Sequence, residues 1–451
     1  MKAIILAAGQ GKRMRTNLQK VLHPILGKTI VQYIVEAALA ADVGDVTVVV
    51  SRDGTDIEKE LSTLYPQLSF VVQSEPLGTG HAVMAAMQCI KDNDDVLILP
   101  GDMPLITADF ICDFIKYYQS NKADAVVAAV YRKEIGDFGR VYANADGTFK
   151  EIVEFRDMKP GMVETNWGNT SIYMFGGSAL RHGLAKISNN NVQNEYYLTD
   201  VPKILQNDGK NVRVYESRTN EAVFTGINTQ VQLAEAVSLM QDRINERHML
   251  GGVRMIDPRS VYIDDVVEIE AGVVIYPGVI LEGNCKIGKD VIVGANSHLR
   301  NANISDNVCI MQSMIFDSIV GAGTQVGPFA YLRMNANIGD ACRIGNFVEI
   351  KNSNIGDGTK AAHLAYIGDA DIGRSVNYSC GAITANYDGK KKHRTTIGDG
   401  AFVGCNSNLV APVTIGAGVM VAAGSTITAD LQEKSLGIAR ARQVEKLNWV
   451  K

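Results

Sequence analysis

The chain has 451 residues, 46% of them hydrophobic and 21% charged, with a formal net charge of −5. It is too long for one ordinary core and has the balance of a soluble globular protein, so two or more domains are expected. The negative charge argues against nonspecific binding to nucleic acid or to an anionic membrane surface, and no apolar run approaches a bilayer span. Seven cysteines, none in a CxxC pair, argue against a zinc site or a disulfide framework and for reduced thiols in the cytosol.

The opening Met1-Lys2-Ala3-Ile4-Ile5-Leu6 is too short for a secretory signal and runs straight into glycine and arginine, so it reads as a first strand. Further apolar runs of strand length lie at 46–50, 70–72, 96–99 and 125–130, with amphipathic stretches such as 30–39 and 81–90 between them. Strands alternating with helices predict an α/β domain with a mostly parallel sheet over residues 1–228. Ligands in such sheets gather beyond the carboxyl ends of the strands. Residues 229–250 are helical in pattern, with Leu233, Val237, Met240 and Ile244 on one stripe, and Gly251-Gly252 ends them. This is read as a linking segment, 229–252, with the boundary at about the glycine pair; the alternative gives the helix wholly to the first domain.

From residue 263 the chain counts in sixes. Ile263, Ile269, Ile275, Leu281, Ile287, Val293 and Leu299 form one run. Val320, Val326, Leu332, Ile338, Ile344 and Ile350 form a second, and Ile397, Val403, Leu409, Ile415, Val421 and Ile427 a third. Neither a helix nor simple strand alternation has this period. It predicts a β-helix of hexapeptide repeats over residues 253–451, each short strand burying one aliphatic side chain and each corner using Gly, Asn or Asp. The count stops after Ile427, and a basic tail through Arg440, Arg442 and Trp449 is expected to cover the last open coil edge. The pattern resembles the left-handed β-helix of hexapeptide acyltransferases, which implies that fold and a trimer.

The turn Leu6-Ala7-Ala8-Gly9-Gln10-Gly11-Lys12-Arg13-Met14 follows the first strand. It is neither a Walker loop nor a dinucleotide fingerprint. A glycine-rich turn opening into a helix nevertheless offers backbone N–H groups to phosphate, and Arg13 and Lys20 add positive charge. This turn, with Gln19-Lys20-Val21-Leu22, resembles the sugar-nucleotide pyrophosphorylase family. So do Gln73-Ser74-Glu75-Pro76-Leu77-Gly78-Thr79-Gly80, Pro100-Gly101-Asp102-Met103-Pro104, Asn194-Glu195-Tyr196-Tyr197-Leu198-Thr199-Asp200 and Gly226-Ile227-Asn228. The resemblance implies that Leu6, Ala7, Ala8 and Gly9 meet the nucleotide, and that Gln73, Gly78 and Thr79 read uracil. It also implies that Gly139, Glu154 and Asn169 hold an N-acetylated sugar, that Asp102 and Asn228 bind Mg²⁺, and that Arg13 and Lys20 steady the phosphates. Ser171 departs from the family's glycine.

Within the repeats, Leu332-Arg333, Gly345-Asn346-Phe347-Val348-Glu349-Ile350-Lys351, His363-Leu364-Ala365-Tyr366, Asn377 and Asn386-Tyr387 fall on neighbouring coils. A plain scaffold has no need of them. Together with the first set they resemble, over essentially the whole chain, the bifunctional family that acetylates glucosamine 1-phosphate and uridylylates N-acetylglucosamine 1-phosphate. Acetyl transfer needs a neutral amine, for which a histidine is the natural base. The resemblance implies that His363 is that base, oriented by Glu349, and that Arg333 and Lys351 bind the sugar phosphate. Tyr366, Asn377 and Asn386 would bind hydroxyls or the amine. Acetyl-CoA would run past Asn386, Tyr387, Cys380, Cys405 and Ala423 toward Arg440. Ser379-Cys380-Gly381-Ala382 and Met334-Asn335 depart from the family pattern. The implied protein is a cytosolic homotrimer using UTP, N-acetylglucosamine 1-phosphate, glucosamine 1-phosphate and acetyl-CoA to supply bacterial envelope sugars. The alternatives are a single-activity nucleotidyltransferase whose β-helix only assembles subunits, and a regulatory assembly protein with dead sites.

Overall fold

The structure, a computed structural model, describes residues 1–450 apart from Gln10, Pro160, Gly161 and Val163. Gln10 of the glycine-rich turn and Lys451 of the tail therefore lie outside the described residues. The chain divides into two compact units, Met1–Met240 and Gln241–Lys451. The dividing point falls inside the helix Gln230–Leu250, ahead of the glycine pair.

The first unit is built on a sheet whose main strands are β1 (Lys2–Leu6), β2 (Asp45–Ser51), β3 (Ser69–Gln73), β4 (Asp95–Pro100), β5 (Ala125–Tyr131), β6 (Trp167–Gly176) and β7 (Val212–Ser217). Their spatial order is β7-β5-β6-β4-β1-β2-β3. All neighbours run parallel except β6, which is antiparallel to both β4 and β5. Alternate residues feed two apolar layers. Ala3, Ile5, Val48, Leu97 and Leu99 pack on one face, and Ile4, Val49, Val96 and Ile98 on the other. This is the burial of a sheet covered by helices on both sides, which explains runs that are continuously apolar rather than alternating. The carboxyl ends of β1, β3 and β4 therefore open on one edge.

The second unit is a parallel β-helix. Ile263 lies beside Leu281 and Leu281 beside Leu299, so three hexapeptides make one coil. The predicted column is real: Ile275, Leu281, Val293, Leu299, Leu332, Ile350, Val403 and Ile415 are all fully buried, although Ile269 in the first coil is only half-buried. Corners take left-handed backbone. Asn296, Asn301, Asn307 and Asn406 have φ between 48° and 59°, the non-glycine type that tolerates it best. Gly381 has φ of 72°, and a Cβ there would lie 2.0 Å from Asn406 Oδ1, so side chain and bare backbone share one corner. Between Tyr378 and Val403 the step lengthens, and residues 386–393 leave the coil as a loop. The helical stripe turns polar where it meets the first coil. Gln241 and Asn245 are buried and donate to the carbonyls of Arg259, Pro258 and Val261. No helix among the described residues is long and apolar enough to cross a membrane.

Candidate active sites

The open strand edge of the first unit holds a cleft of about 860 Å³. Leu6, Ala8, Gly9, Arg13, Lys20, Gln73, Gly78, Thr79, Asp102, Gly139, Glu154, Asn169 and Asn228 all line it. Ala7 does not: it is buried, and its amide donates to the Val49 carbonyl at 2.8 Å. The glycine turn opens into a three-residue 3₁₀ turn, Lys12–Met14, and not into a long helix. Any phosphate contact there rests on individual N–H groups, without a macrodipole behind them.

The ends of three segments meet at one cation. Lys20 Nζ lies 2.6 Å from Asp102 Oδ2 and 3.1 Å from Asn228 Oδ1. Asp102 comes from the turn after β4, and Asn228 from the segment before the long helix. The ammonium is a stand-in that shows a carboxylate and an amide oxygen converging on one point. Hard oxygens of that kind suit Mg²⁺, which keeps several waters and needs few protein ligands. Among the described residues there is no cluster of three or more His, Cys, Asp or Glu that could hold a metal.

Across the cleft, Gln73 Nε2 is 3.1 Å from the Gly78 carbonyl and 3.3 Å from His81 Nδ1, which fixes its amide. Thr79 accepts from the Leu198 amide, joining the two walls. Asn169 is tied to Tyr173 by two bonds and to the Ser171 amide, so its amide is committed to the wall of the cleft. Ser171 sits at φ 60°, at the register shift of β6. Burial pushes the Glu154 carboxyl up, reinforced by Asp157 and Asp200 and opposed by the Thr199 hydroxyl. Sequence reasoning did not single out Tyr197. Its hydroxyl is buried without a partner in the cleft wall, and only its place in the Asn194–Asp200 motif pointed to it.

The second site lies on consecutive coils of the β-helix. Arg333 pairs in register with Lys351, Glu349 with Tyr366, and Asn346 with His363. The expected Glu349–His363 pairing is not what forms. Glu349 Oε1 accepts from Arg333 Nε and Nη2 at 2.8 and 2.6 Å, while His363 Nδ1 lies 3.2 Å from Asn346 Oδ1. The reason is geometric: Glu349 stands on the strand face with Tyr366, and the exposed imidazole stands toward the corner. Asn377 is also apart, in register with Lys360 on the adjoining face.

Lys351 is held by a device the sequence did not reveal. Its ammonium is 3.4 Å from Asp369 Oδ2, and both side chains are only 6% exposed. Asn352 and Asn386 also donate to that carboxylate, so Asn386 is committed inward. Burial alone would raise Asp369; the two amides and Lys351 outweigh it and hold the carboxyl below its ordinary value. From the expelled loop, the Lys392 amine meets that of Lys351. The neighbouring Lys351 ammonium lowers Lys392. Arg333, Lys351 and Lys392 thus crowd positive charge at one spot.

The expected coenzyme path is a single corner column. His363, Cys380, Cys405 and Ala423 occupy equivalent positions on successive coils, linked by Gly381 N to Leu364 O, Asn406 N to Cys380 O and Gly424 N to Cys405 O. Arg440 joins its end by donating to the Ala423 carbonyl at 2.8 Å. Tyr387 stands exposed on the loop, its hydroxyl donating to Gly389. The cysteines are free thiols.

Comparison with known proteins agrees with this division. The MobA-like NTP transferase domain matches residues 3–159, and the bacterial transferase hexapeptide of six repeats matches 267–301 and 394–429, which is the left-handed class of β-helix. A protein of Alkaliphilus oremlandii named bifunctional protein GlmU is 46% identical over 100% of this chain and 98% of its own length. Proteins of the same name from a Geobacillus strain and from Clostridium acetobutylicum are each 44% identical, covering 99% of this chain and 97% and 98% of theirs.

Proposed function

This chain belongs to the family of bifunctional GlmU proteins, an NTP transferase joined to a hexapeptide transferase, and on that premise we propose that it makes UDP-N-acetylglucosamine in two steps. In the second unit, glucosamine 1-phosphate takes an acetyl group from acetyl-CoA. In the first, the N-acetylated product takes UMP from UTP and pyrophosphate leaves.

The observation that carries the acetyl transfer is an exposed imidazole at the head of the corner column, on the coil next to that of Lys351. Arg333, Lys351 and Lys392 bind the sugar phosphate. Asn346 Oδ1 accepts a hydrogen bond from His363 Nδ1–H, which leaves Nε2 as the base. Nε2 removes a proton as the sugar amine attacks the thioester carbonyl. The carbon–sulfur bond then breaks, and the thiolate leaves as coenzyme A, taking a proton from the imidazolium. Glu349 serves Arg333 instead, setting the guanidinium plane.

In the first unit both reactants are anions, so positioning and charge do most of the work. A phosphate oxygen of N-acetylglucosamine 1-phosphate attacks the α-phosphorus of UTP in line with the departing β-phosphate. Asp102 and Asn228 would hold Mg²⁺, whose charge would offset that of the phosphates. Arg13 at the mouth and Lys20 in the floor supply the remaining cations. Gln73, Gly78 and Thr79 form the uracil wall, and Gly139, Glu154 and Asn169 the sugar wall.

The enzyme is further read as a cytosolic homotrimer. A ridge of exposed apolar corner residues, Phe329, Phe347 and Leu364, supports association. The deciding experiment is thiol release from acetyl-CoA with glucosamine 1-phosphate and no UTP. Release by the wild type and its loss in His363→Ala is expected. No release, from protein that still forms UDP-N-acetylglucosamine, would reduce the β-helix to a scaffold.

A further inference from the structure

We propose that Lys20 is an internal cation that occupies the metal position of the first unit and must be displaced before a divalent ion binds. This rests on the reading of Asp102 and Asn228 as metal ligands. Lys20 Nζ is within hydrogen-bond distance of both oxygens, at 2.6 and 3.1 Å. A metal sits about 2.1 Å from such oxygens. It cannot do so while an ammonium lies in the same notch, so the two cations exclude one another.

The surroundings make the ammonium a good occupant. The Lys20 side chain is 10% exposed and that of Asp102 21%, so removing Lys20 without a replacement would leave a poorly hydrated carboxylate alone. The stem of Lys20 also rests on the glycine-rich turn, since a Cβ on Gly11 would lie 2.6 Å from the Lys20 Cβ. The cleft is the free direction for the displaced amine, and there it joins Lys12 and Arg13. In the cleft its new partner is a phosphate.

The exchange is therefore balanced only when metal and nucleotide phosphate arrive together. The metal takes the carboxylate and the lysine takes the phosphate. Metal alone finds its ligands occupied, and a metal-free nucleotide finds Lys20 withheld. The device selects the metal–nucleotide chelate over either component, a coupling of the kind usually worth 5- to 150-fold, so about tenfold is the expected scale.

The test is Mn²⁺ binding to the full-length protein without nucleotide, read by the electron paramagnetic resonance of free Mn²⁺. Lys20→Met should bind one Mn²⁺ about tenfold or more tighter than wild type, and Lys20→Met with Asp102→Asn should lose that site. Equal affinity in wild type and Lys20→Met would overturn the proposal. If the double variant binds Mn²⁺ as tightly as Lys20→Met, the metal assignment itself falls, and this proposal with it. A second measurement uses only the wild type: limited acylation of lysines by acetic anhydride, read by mass spectrometry. Saturating Mg²⁺ should increase modification of Lys20 severalfold relative to surface lysines. No change would overturn the displacement.

Discussion

Removing the Asp369 carboxylate should damage the second unit more than removing the whole ion pair. The carboxylate and Lys351 are each 6% exposed, and Asp369 also accepts from Asn352 and Asn386. In Asp369→Leu the ammonium and two amides lose their common acceptor. Breaking one side of a buried pair costs about 3–5 kcal/mol. At roughly 2–4 °C per kcal/mol for a unit of this size, the melting transition of the second unit should fall by roughly 6–20 °C. Lys351→Met with Asp369→Leu removes both charges, and should recover most of the loss because paired burial is close to neutral against apolar replacements. Calorimetry of the full chain at pH 7 measures both. The pH sign follows from the depressed carboxyl. Its contribution is present above the ordinary carboxylate value near 4 and is lost as pH falls through the lower folded value. The gap between wild type and Asp369→Leu should therefore close below about pH 4. A single variant within about 1 kcal/mol of wild type at pH 7, or a double variant no better than the single, would refute the argument.

Asn346→Ala should lower the turnover of acetyl transfer by roughly tenfold, the scale of one lost orienting hydrogen bond of about 1.5 kcal/mol. The KM for glucosamine 1-phosphate should stay unchanged, which steady-state kinetics separates from a general loss of fold. Lys392→Met should do the reverse, raising that KM several-fold with kcat intact. Glu154→Gln should stabilise the first unit at pH 7. The raised carboxyl means that ionised Glu154 is disfavoured in the fold, so stability drops as pH rises from the unfolded value through the folded one. Melts of wild type and variant should therefore converge only below the ordinary Glu value near 4.3.

How much was legible in the chain depended on whether the determinant was periodic or local. The β-helix column is a strict period of six, and the structure buries nearly every predicted member because a coil repeats one backbone shape. The parallel sheet was legible from runs such as 96–99 and 125–130, which are apolar on both faces. The antiparallel strand Trp167–Gly176 was not, since Gly168, Asn169, Thr170 and Ser171 interrupt its apolar pattern at the register shift. The linking helix showed its Met240 and Ile244 stripe, but the burial of Gln241 and Asn245 was not legible, because their acceptors, the carbonyls of Pro258 and Val261, are set by the coil they cap. The cleft residues were legible as a set, because each lies at the end of a strand or in a short motif. Pairings between segments were not. That Glu349 faces Arg333 and not His363 depends on register and on which face each residue takes, and neither is visible in spacing alone.

Along one corner column of the β-helix, large apolar residues take the left-handed backbone that asparagine takes above and below them. Asn296 and Asn406 take left-handed corners cheaply, whereas Phe329, Phe347 and Leu364 sit at φ 59°, 57° and 24°. Left-handed backbone costs such side chains about 1–2 kcal/mol each. They are also 49%, 56% and 58% exposed, with the two rings stacked 5.4 Å apart and 8° from parallel. Backbone strain and exposed apolar surface together make poor sense in an isolated subunit. They make sense if the ridge is covered in the proposed trimer, where each side chain would recover roughly 2 kcal/mol on burial. Replacing all three by Asn should then leave the subunit fold intact, because Asn is at ease at such corners, while weakening association. Equilibrium sedimentation should show the triple variant as monomers at concentrations where the wild type is trimeric, and circular dichroism should show the same melt or a higher one for the isolated subunit. A triple variant that stays as tightly trimeric as the wild type would remove the ridge from the interface and leave the strain without that explanation.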